Sequence, residues 1–287
     1  MAAARPNAEP SRPAFALFGD PVAQSRSPAL HEAGLVAWGR PGIYLAVRVS
    51  AGAFARAVRS ARDLGFRGAN VTVPHKRRAL DLVDRAGAEA RRIGAANVLC
   101  LGGGGVTAYN TDGAGFLDGL REIGRDAFDR AVVLGGGGAA RAVVDALGVS
   151  GTAGRIVWVS RRPAGLPAFE RVRPTGWDAV PRVLRGADLL VNATPVGMDG
   201  GPAAFPAPVD PEDLAPGGAV VDLTYGPRPS ALLERARAAG LAAQDGRPML
   251  LHQAVRAQAL WWNEPVPPHA VAAMRAVLDG APQHRTS

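Results

Sequence analysis

The segment from residue 131 to residue 159 constrains the fold more than any other stretch. An apolar run at 131–134 leads into four glycines, Gly135, Gly136, Gly137 and Gly138. A helix-forming stretch at 139–147 and a second apolar run at 156–159 follow. Strand, glycine turn, helix, strand is the order of a doubly wound nucleotide-binding domain. In the pattern Gly135-x-Gly137-x-x-Ala140, the first glycine permits a tight turn and the second lets the backbone approach a pyrophosphate. The helix beginning near Ala139 offers that anion free N–H groups and a positive dipole end. A ligand-free glycine turn is the plainer reading. Two further unbroken apolar runs, at 189–193 and 219–223, fit parallel strands covered on both faces. After the 156–159 run the chain reads Ser160-Arg161-Arg162. No carboxylate waits there for a ribose 2′-hydroxyl, and two guanidiniums suit a 2′-phosphate, so NADP is the expected cofactor. A solvated basic turn is the other reading, more so for Arg162 than for Arg161.

The first half of the chain also alternates strand and helix, so the whole is expected to be α/β. Strands are expected at 14–19, 43–49, 68–73, 96–101 and 106–109, the last two joined as a hairpin by the glycines at 102–105. Helices are expected at 27–38, opened by Ser27 as N-cap and Pro28, and at 53–64. Two more are expected from Pro74 and from Asp112 to about 123. The tail, 249–279, reads as two helices around a proline-rich break at 265–268. With 287 residues, two domains are expected. The first fourteen residues lack a long apolar core and read as a disordered lead, not a signal peptide. No apolar run reaches the length of a membrane span. The single cysteine, Cys100, excludes an intrachain disulfide framework and suits a cytoplasmic location.

The formal charge of +8 and the pI of about 10.9 raise nucleic-acid binding as one reading. Against it, the arginines are scattered, and no recognition-helix or aromatic-platform motif is present. A moderate positive field also draws small anions. Among 33 basic residues only Lys76 is lysine. A guanidinium does not lose its proton, so a chain that uses arginine almost everywhere keeps a lysine where a titratable amine is needed. Reducing a ketone requires a proton donor beside the oxygen. Lys76 and Asp112, with Thr72, are the candidates for that work. A helix N-cap is the other reading of Asp112. Asn70, Asn97, Asn110 and Asn192 sit at expected strand ends or turns, where they could contact the hydroxyls of a ligand or simply make turns. Ser25 and Ser27, at the start of the first helix, could receive a carboxylate.

These residues fall into ordered motifs. Gly68-x-Asn70-Val71-Thr72-x-Pro74-x-Lys76 and Asn110-Thr111-Asp112-Gly113-x-Gly115 resemble the two signature segments of the shikimate dehydrogenase family. Ser25-x-Ser27-Pro28-x-x-His31 resembles its carboxylate loop. Ile93-Gly94-Ala95-x-Asn97, Asn192-Ala193-Thr194-Pro195-x-Gly197-Met198, Asp222-x-x-Tyr225 and Gly246-x-x-Met249-Leu250-x-x-Gln253 also match, in family order, from about Phe18 to beyond Gln253. The resemblance implies an N-terminal α/β substrate domain (14–112) and a Rossmann-like NADP-binding domain (113–248). It also implies C-terminal helices (249–280) that return to the first domain, and a cleft between the domains.

In that reading Lys76 and Asp112 are the catalytic pair. Ser25, Ser27, Thr72, Asn97, Tyr225 and Gln253 hold shikimate or 3-dehydroshikimate with them. Gly135 to Ala139, Ser160, Arg161 and Arg162 hold the phosphates of NADP, and Thr194, Val196, Met198, Leu223, Gly246 and Met249 lie along the rest of the cofactor. The implied reaction is reversible NADPH-dependent reduction of 3-dehydroshikimate, in the pathway to chorismate and the aromatic amino acids. No metal, nucleic acid or membrane partner is implied, and the chain is expected as a monomer or homodimer. Alternatives on the same fold are a quinate/shikimate or aminoshikimate dehydrogenase, and a non-catalytic NADP-binding regulator. The sequence departs from the family pattern in three places. Val98 follows Asn97 where a threonine is common. Ser160-Arg161-Arg162 replaces Asn-Arg-Thr, with Gly165 where a basic residue often stands. Tyr225-Gly226-Pro227 replaces Tyr-Asn-Pro.

Overall fold

The computed structural model describes residues 12–102, 104–198 and 200–280. Most of the expected lead (residues 1–11), together with Gly103 of the expected glycine hairpin, therefore lies outside the described residues. In chain order the first elements are β1 (Ala14–Gly19), α1 (Ser27–Ala37), β2 (Ile43–Arg48), α2 (Phe54–Asp63), β3 (Gly68–Val71), β4 (Arg85–Ala86), α3 (Ala88–Ile93), β5 (Val98–Gly102) and β6 (Gly105–Tyr109). Then come α4 (Asp112–Arg121), β7 (Phe128–Leu134), α5 (Gly138–Ser150), β8 (Ala153–Val159), β9 (Val172–Thr175), α6 (Val180–Leu184), β10 (Leu189–Asn192), β11 (Ala219–Asp222), α7 (Ala231–Ala238), β12 (Ala242–Gln244), α8 (Arg247–Trp262) and α9 (Pro268–Asp279). Among the described residues no helix is long and apolar enough to cross a membrane.

The chain forms two compact units. Among the described residues, one comprises 12–91, 96–109 and 254–279; the other comprises 92–95 and 110–253. The first unit holds a mixed sheet of order β2-β1-β3-β5-β6-β4. β1 pairs in parallel with β2 and β3, while β3–β5 and β5–β6 are antiparallel. Both faces of this sheet are covered. Ala16, Phe18, Ala69, Val71 and Leu99 pack with Phe54, Val58 and Ala61, which recur on one face of α2. Phe15, Leu17, Tyr44 and Val98 pack with Leu35 of α1 and with Ala257 and Trp261 of α8. The alternation of neighbours such as Phe15 and Ala16 between two cores explains why β1 reads as an unbroken apolar run.

The helix expected from Pro74 does not form. After a short turn the chain makes a 3-10 segment at Arg78–Leu82, and Val83 is already extended. Tertiary pairing overrides the local helix signal here, because the chain must straighten for Arg85 and Ala86 to pair with Thr107 and Ala108 of β6.

The second unit holds a wholly parallel sheet of order β12-β11-β10-β7-β8-β9. Ala131 and Val133 of β7 face one core and Val132 and Leu134 the other. The strand order reverses between β7 and β10. In open sheets of this kind ligands bind in the crevice beyond the strand ends at that reversal.

Candidate active site

The structure divides the expected site residues between the units. Ser25, Ser27, Thr72, Lys76 and Asn97 belong to the first; Asp112, Tyr225, Gln253 and the expected cofactor residues belong to the second.

In the first unit, three chain segments meet at the C-terminal end of β3. The Thr72 N–H donates to Phe18 O at 2.9 Å, the Val71 N–H to Asn97 O at 2.9 Å, and the Ala96 N–H to Lys76 O at 2.7 Å. The backbone of Thr72, Lys76 and Asn97 is therefore held in one place. Lys76 is half-buried and Asn97 is buried. Ser27 is not the N-cap expected of it. Arg26 occupies that position without a side-chain cap, and the Ser27 N–H instead donates to Ser25 Oγ at 3.2 Å. The Ser27 hydroxyl hydrogen-bonds the Tyr44 phenol.

Tyr44 is a residue that sequence reasoning missed, because nothing in an alternating strand distinguishes it. It is 2% exposed, and its hydroxyl donates to Asn70 Oδ1 at 2.7 Å. Asn70 Nδ2 donates in turn to Asn97 O at 3.1 Å. Burial raises the Tyr44 phenol well above its ordinary value, opposed by the Ser27 hydrogen bond, so it stays a neutral donor. The His31 imidazole stacks on Tyr44 with centroids 4.3 Å apart. Burial lowers His31 to about 3, with Asn70 opposing, so it is neutral at ordinary pH. A buried polar net thus underlies the Ser25–Ser27 loop and the Asn97 segment together.

In the second unit, Asp112 is the first residue of α4 and is 3% exposed. The N-cap reading fails, since Thr111 holds that position. The Thr111 hydroxyl donates to Gln253 O at 3.1 Å, and the Asp112 N–H donates to Asn110 Oδ1 at 3.0 Å. Gly115 makes this packing possible: a Cβ there would lie 2.6 Å from the Gln253 backbone nitrogen. Asp112 and Gln253 are thus fixed to one another through α4 and α8.

The glycine turn has the form its sequence demands. Gly135 has φ of +120°, and a Cβ on it would lie 2.7 Å from Ala193 O. Gly136 and Gly137 are exposed, and α5 begins at Gly138. Free N–H groups therefore face outward at the head of a thirteen-residue helix. At the end of β8, Ser160 is buried and accepts the Arg162 N–H at 3.2 Å, while Arg161 and Arg162 are exposed. This backbone cradle with two free-standing guanidiniums and no carboxylate fits a dinucleotide carrying a 2′-phosphate.

Asp222, quoted in a motif but given no role by sequence, organises the neighbouring loops. It is fully buried. Its Oδ1 accepts from Asn192 Nδ2 at 2.9 Å, from the Thr224 N–H at 3.0 Å and from Thr224 Oγ1 at 2.9 Å, and its Oδ2 accepts from Ser230 Oγ at 2.5 Å. Asn192 also donates to Val196 O and accepts from Thr194 Oγ1. The loops carrying Thr194, Val196 and Met198 and carrying Leu223 and Tyr225 are fastened to one carboxylate. Gly246 closes against Leu223, donating its N–H to Thr224 O at 3.1 Å. A polar residue ending each apolar strand, Asn192 and Asp222, was the available sequence signal. Asn70, Asn110 and Asn192, considered as ligand contacts, use their side chains on their own units: Asn110 Nδ2 donates to Ala95 O at 2.9 Å, and the other two bond as above.

Comparison with known proteins bears on what these residues do. A family described as the shikimate dehydrogenase substrate binding domain matches residues 17–99. The chain is 42% identical to the NADP-dependent shikimate dehydrogenase of Rhodospirillum rubrum over 93% of this chain and 96% of that one. The crystal structure of shikimate 5-dehydrogenase from Thermus thermophilus in complex with NADP(H) and shikimate is 36% identical, with a TM-score of 0.78 over 92% of this chain and 99% of that one. A quinate dehydrogenase from Corynebacterium glutamicum in complex with NAD is 30% identical, with a TM-score of 0.80 over 93% of this chain and 98% of that one.

Proposed function

The chain belongs to the shikimate dehydrogenase family, and from that premise we propose how it interconverts shikimate and 3-dehydroshikimate as an NADP-dependent oxidoreductase. The 14–112 region serves the substrate, 113–248 the cofactor, and the helices in 249–280 return toward the first. NADP, when bound, supplies the hydride acceptor for shikimate oxidation and, reduced, the donor for the reverse reaction. Everything else falls to the chain's own groups. Lys76 and Asp112 share the proton of the reacting hydroxyl: it leaves the oxygen as the C–H hydride departs, and returns in the other direction. Ser25 and Ser27 receive the carboxylate, while Thr72, Asn97, Tyr225 and Gln253 contact the ring hydroxyls. Gly135 to Ala139 cradle the pyrophosphate and Arg161 receives the 2′-phosphate. Thr194, Val196 and Met249 lie along the nicotinamide.

The observation that carries this reading is the combination of a lone, half-buried lysine with a buried aspartate that is not a helix cap, each on a backbone fixed by hydrogen bonds. The test is the initial rate of shikimate oxidation, followed at the nicotinamide absorbance with NADP and NAD in parallel. A fast rate with NADP and a slow one with NAD is expected. A rate with quinate exceeding that with shikimate, or NAD serving as well as NADP, would move the assignment to a quinate dehydrogenase.

A further inference from the structure

The glycine turn of the second unit begins where β7 leaves its sheet, and β8 claims both backbone groups of Gly135. The Gly135 N–H donates to Val159 O at 2.9 Å. That bond carries the parallel register of Leu134 with Val159 one step further. β8 ends at Val159, so the ladder stops there. The buried Gly135 carbonyl is met by a side chain instead: the Trp158 indole Nε1–H donates to it at 2.6 Å. Trp158 is fully buried among Val133, Val143 and Ile156, and its ring stacks on Phe169 with centroids 5.9 Å apart. The indole is therefore aimed by its packing. A trans peptide is planar, with its N–H directed opposite to its carbonyl. The Gly135–Gly136 peptide is trans. With its oxygen turned to the buried indole, its N–H, that of Gly136, is turned away from the core, toward the side on which Gly136 and Gly137 are exposed. With glycine on both sides this plane would rotate readily; the indole bond pins it.

We propose that Trp158 is a positioning residue for the cofactor: its indole N–H fixes the Gly135–Gly136 peptide so that the Gly136 N–H donates to the pyrophosphate of NADP. The inference rests on the reading that this turn receives the pyrophosphate. Trp158 itself touches no ligand, because its ring lies wholly within the core. A phenylalanine in its place fills much of the same space and has no N–H to give.

The test is calorimetric titration of Trp158→Phe with NADP and with adenosine 2′-phosphate, which carries the 2′-phosphate but no pyrophosphate. The Kd for NADP should rise about tenfold. The Kd for adenosine 2′-phosphate and the KM for shikimate should stay at wild-type values. Ile156→Val, a truncation in the same core, should lower the melting temperature and leave both Kd values alone. Unchanged NADP affinity in Trp158→Phe overturns the proposal. So does an equal loss with adenosine 2′-phosphate, or a like loss in Ile156→Val, either of which marks a loosened unit. Gly135→Ala separates this role from the reading beneath it. If Gly135→Ala loses NADP and Trp158→Phe does not, the role of Trp158 alone falls; if neither loses it, the cradle falls too. Should Trp158→Phe fail to fold, the crystal structure of the unaltered chain with NADP decides. A Gly136 nitrogen within hydrogen-bond distance of a pyrophosphate oxygen is expected there, and one that meets no cofactor atom overturns the proposal.

Discussion

The two units present their expected binding groups in different materials. In the second unit the proposed anion cradle is backbone: a glycine at positive φ, two exposed glycines and a helix terminus, set at the reversal of a wholly parallel sheet. In the first unit the expected ligand contacts are side chains, and a buried polar net from Ser27 through Tyr44 and Asn70 to the Asn97 carbonyl lies beneath them. A backbone site tolerates change almost anywhere except at its glycines. A side-chain site depends both on the residues that touch ligand and on those that aim them.

The contrast can be broken or sharpened by substitution. The largest effect is expected for Lys76→Ala: turnover falls about 100- to 10,000-fold with an unchanged melting temperature. Nearly full activity would remove the lysine from the chemistry. Gly135→Ala forces a Cβ toward Ala193 O at positive φ, at a stability cost of about 1–3 kcal/mol, and weakens NADP binding. Titration of NADP and of shikimate separates the units, since only the first titration should change; wild-type NADP affinity would break the backbone reading. Arg161→Ala should raise the KM for NADP about tenfold or more and leave that for NAD alone. An equal loss with both cofactors would take Arg161 off the 2′-phosphate.

Tyr44→Phe leaves buried Asn70 Oδ1 without its donor, costing about 1–3 kcal/mol in a denaturant melt, and should raise the KM for shikimate. A variant of wild-type stability and KM would show that the net supports nothing above it. His31 gives the mildest test. Its folded value, about 3, lies below its ordinary 6.5, so the unfolded chain binds the extra proton. Its contribution is fully present above pH 6.5 and declines by about 1.4 kcal/mol per pH unit from there toward pH 3. Denaturant melts between pH 7 and mildly acid conditions should show this slope, and His31→Asn should flatten it.

How far the sequence could be read follows the same division. The glycine turn and the parallel strands were legible because backbone geometry restricts which residues can serve. Gly135 at φ of +120° is such a position. Most first-unit strands were legible too, from apolar runs and alternation. What failed depended on tertiary pairing: β4 replaced the helix expected after Pro74, because the chain is straightened by β6 rather than by its own propensity. The N-cap readings of Ser27 and Asp112 failed for a related reason. A hydroxyl or carboxylate at a helix start caps it only if nothing else claims the side chain, and Ser27 is claimed by Tyr44 across the unit. Tyr44 stayed hidden because its partners, Ser27 and Asn70, are distant in sequence.

The turn that holds Lys76 also gives the protein a single address. A lysine-specific protease has one lysyl bond to cut in the whole chain, Lys76–Arg77. The carbonyl of that bond accepts the Ala96 N–H at 2.7 Å, so scission must wait until the turn peels away from the Asn97 segment. The rate at which one band becomes two therefore measures how often that turn opens. Shikimate, bound to the closed turn as proposed, should slow this clock in proportion to its occupancy.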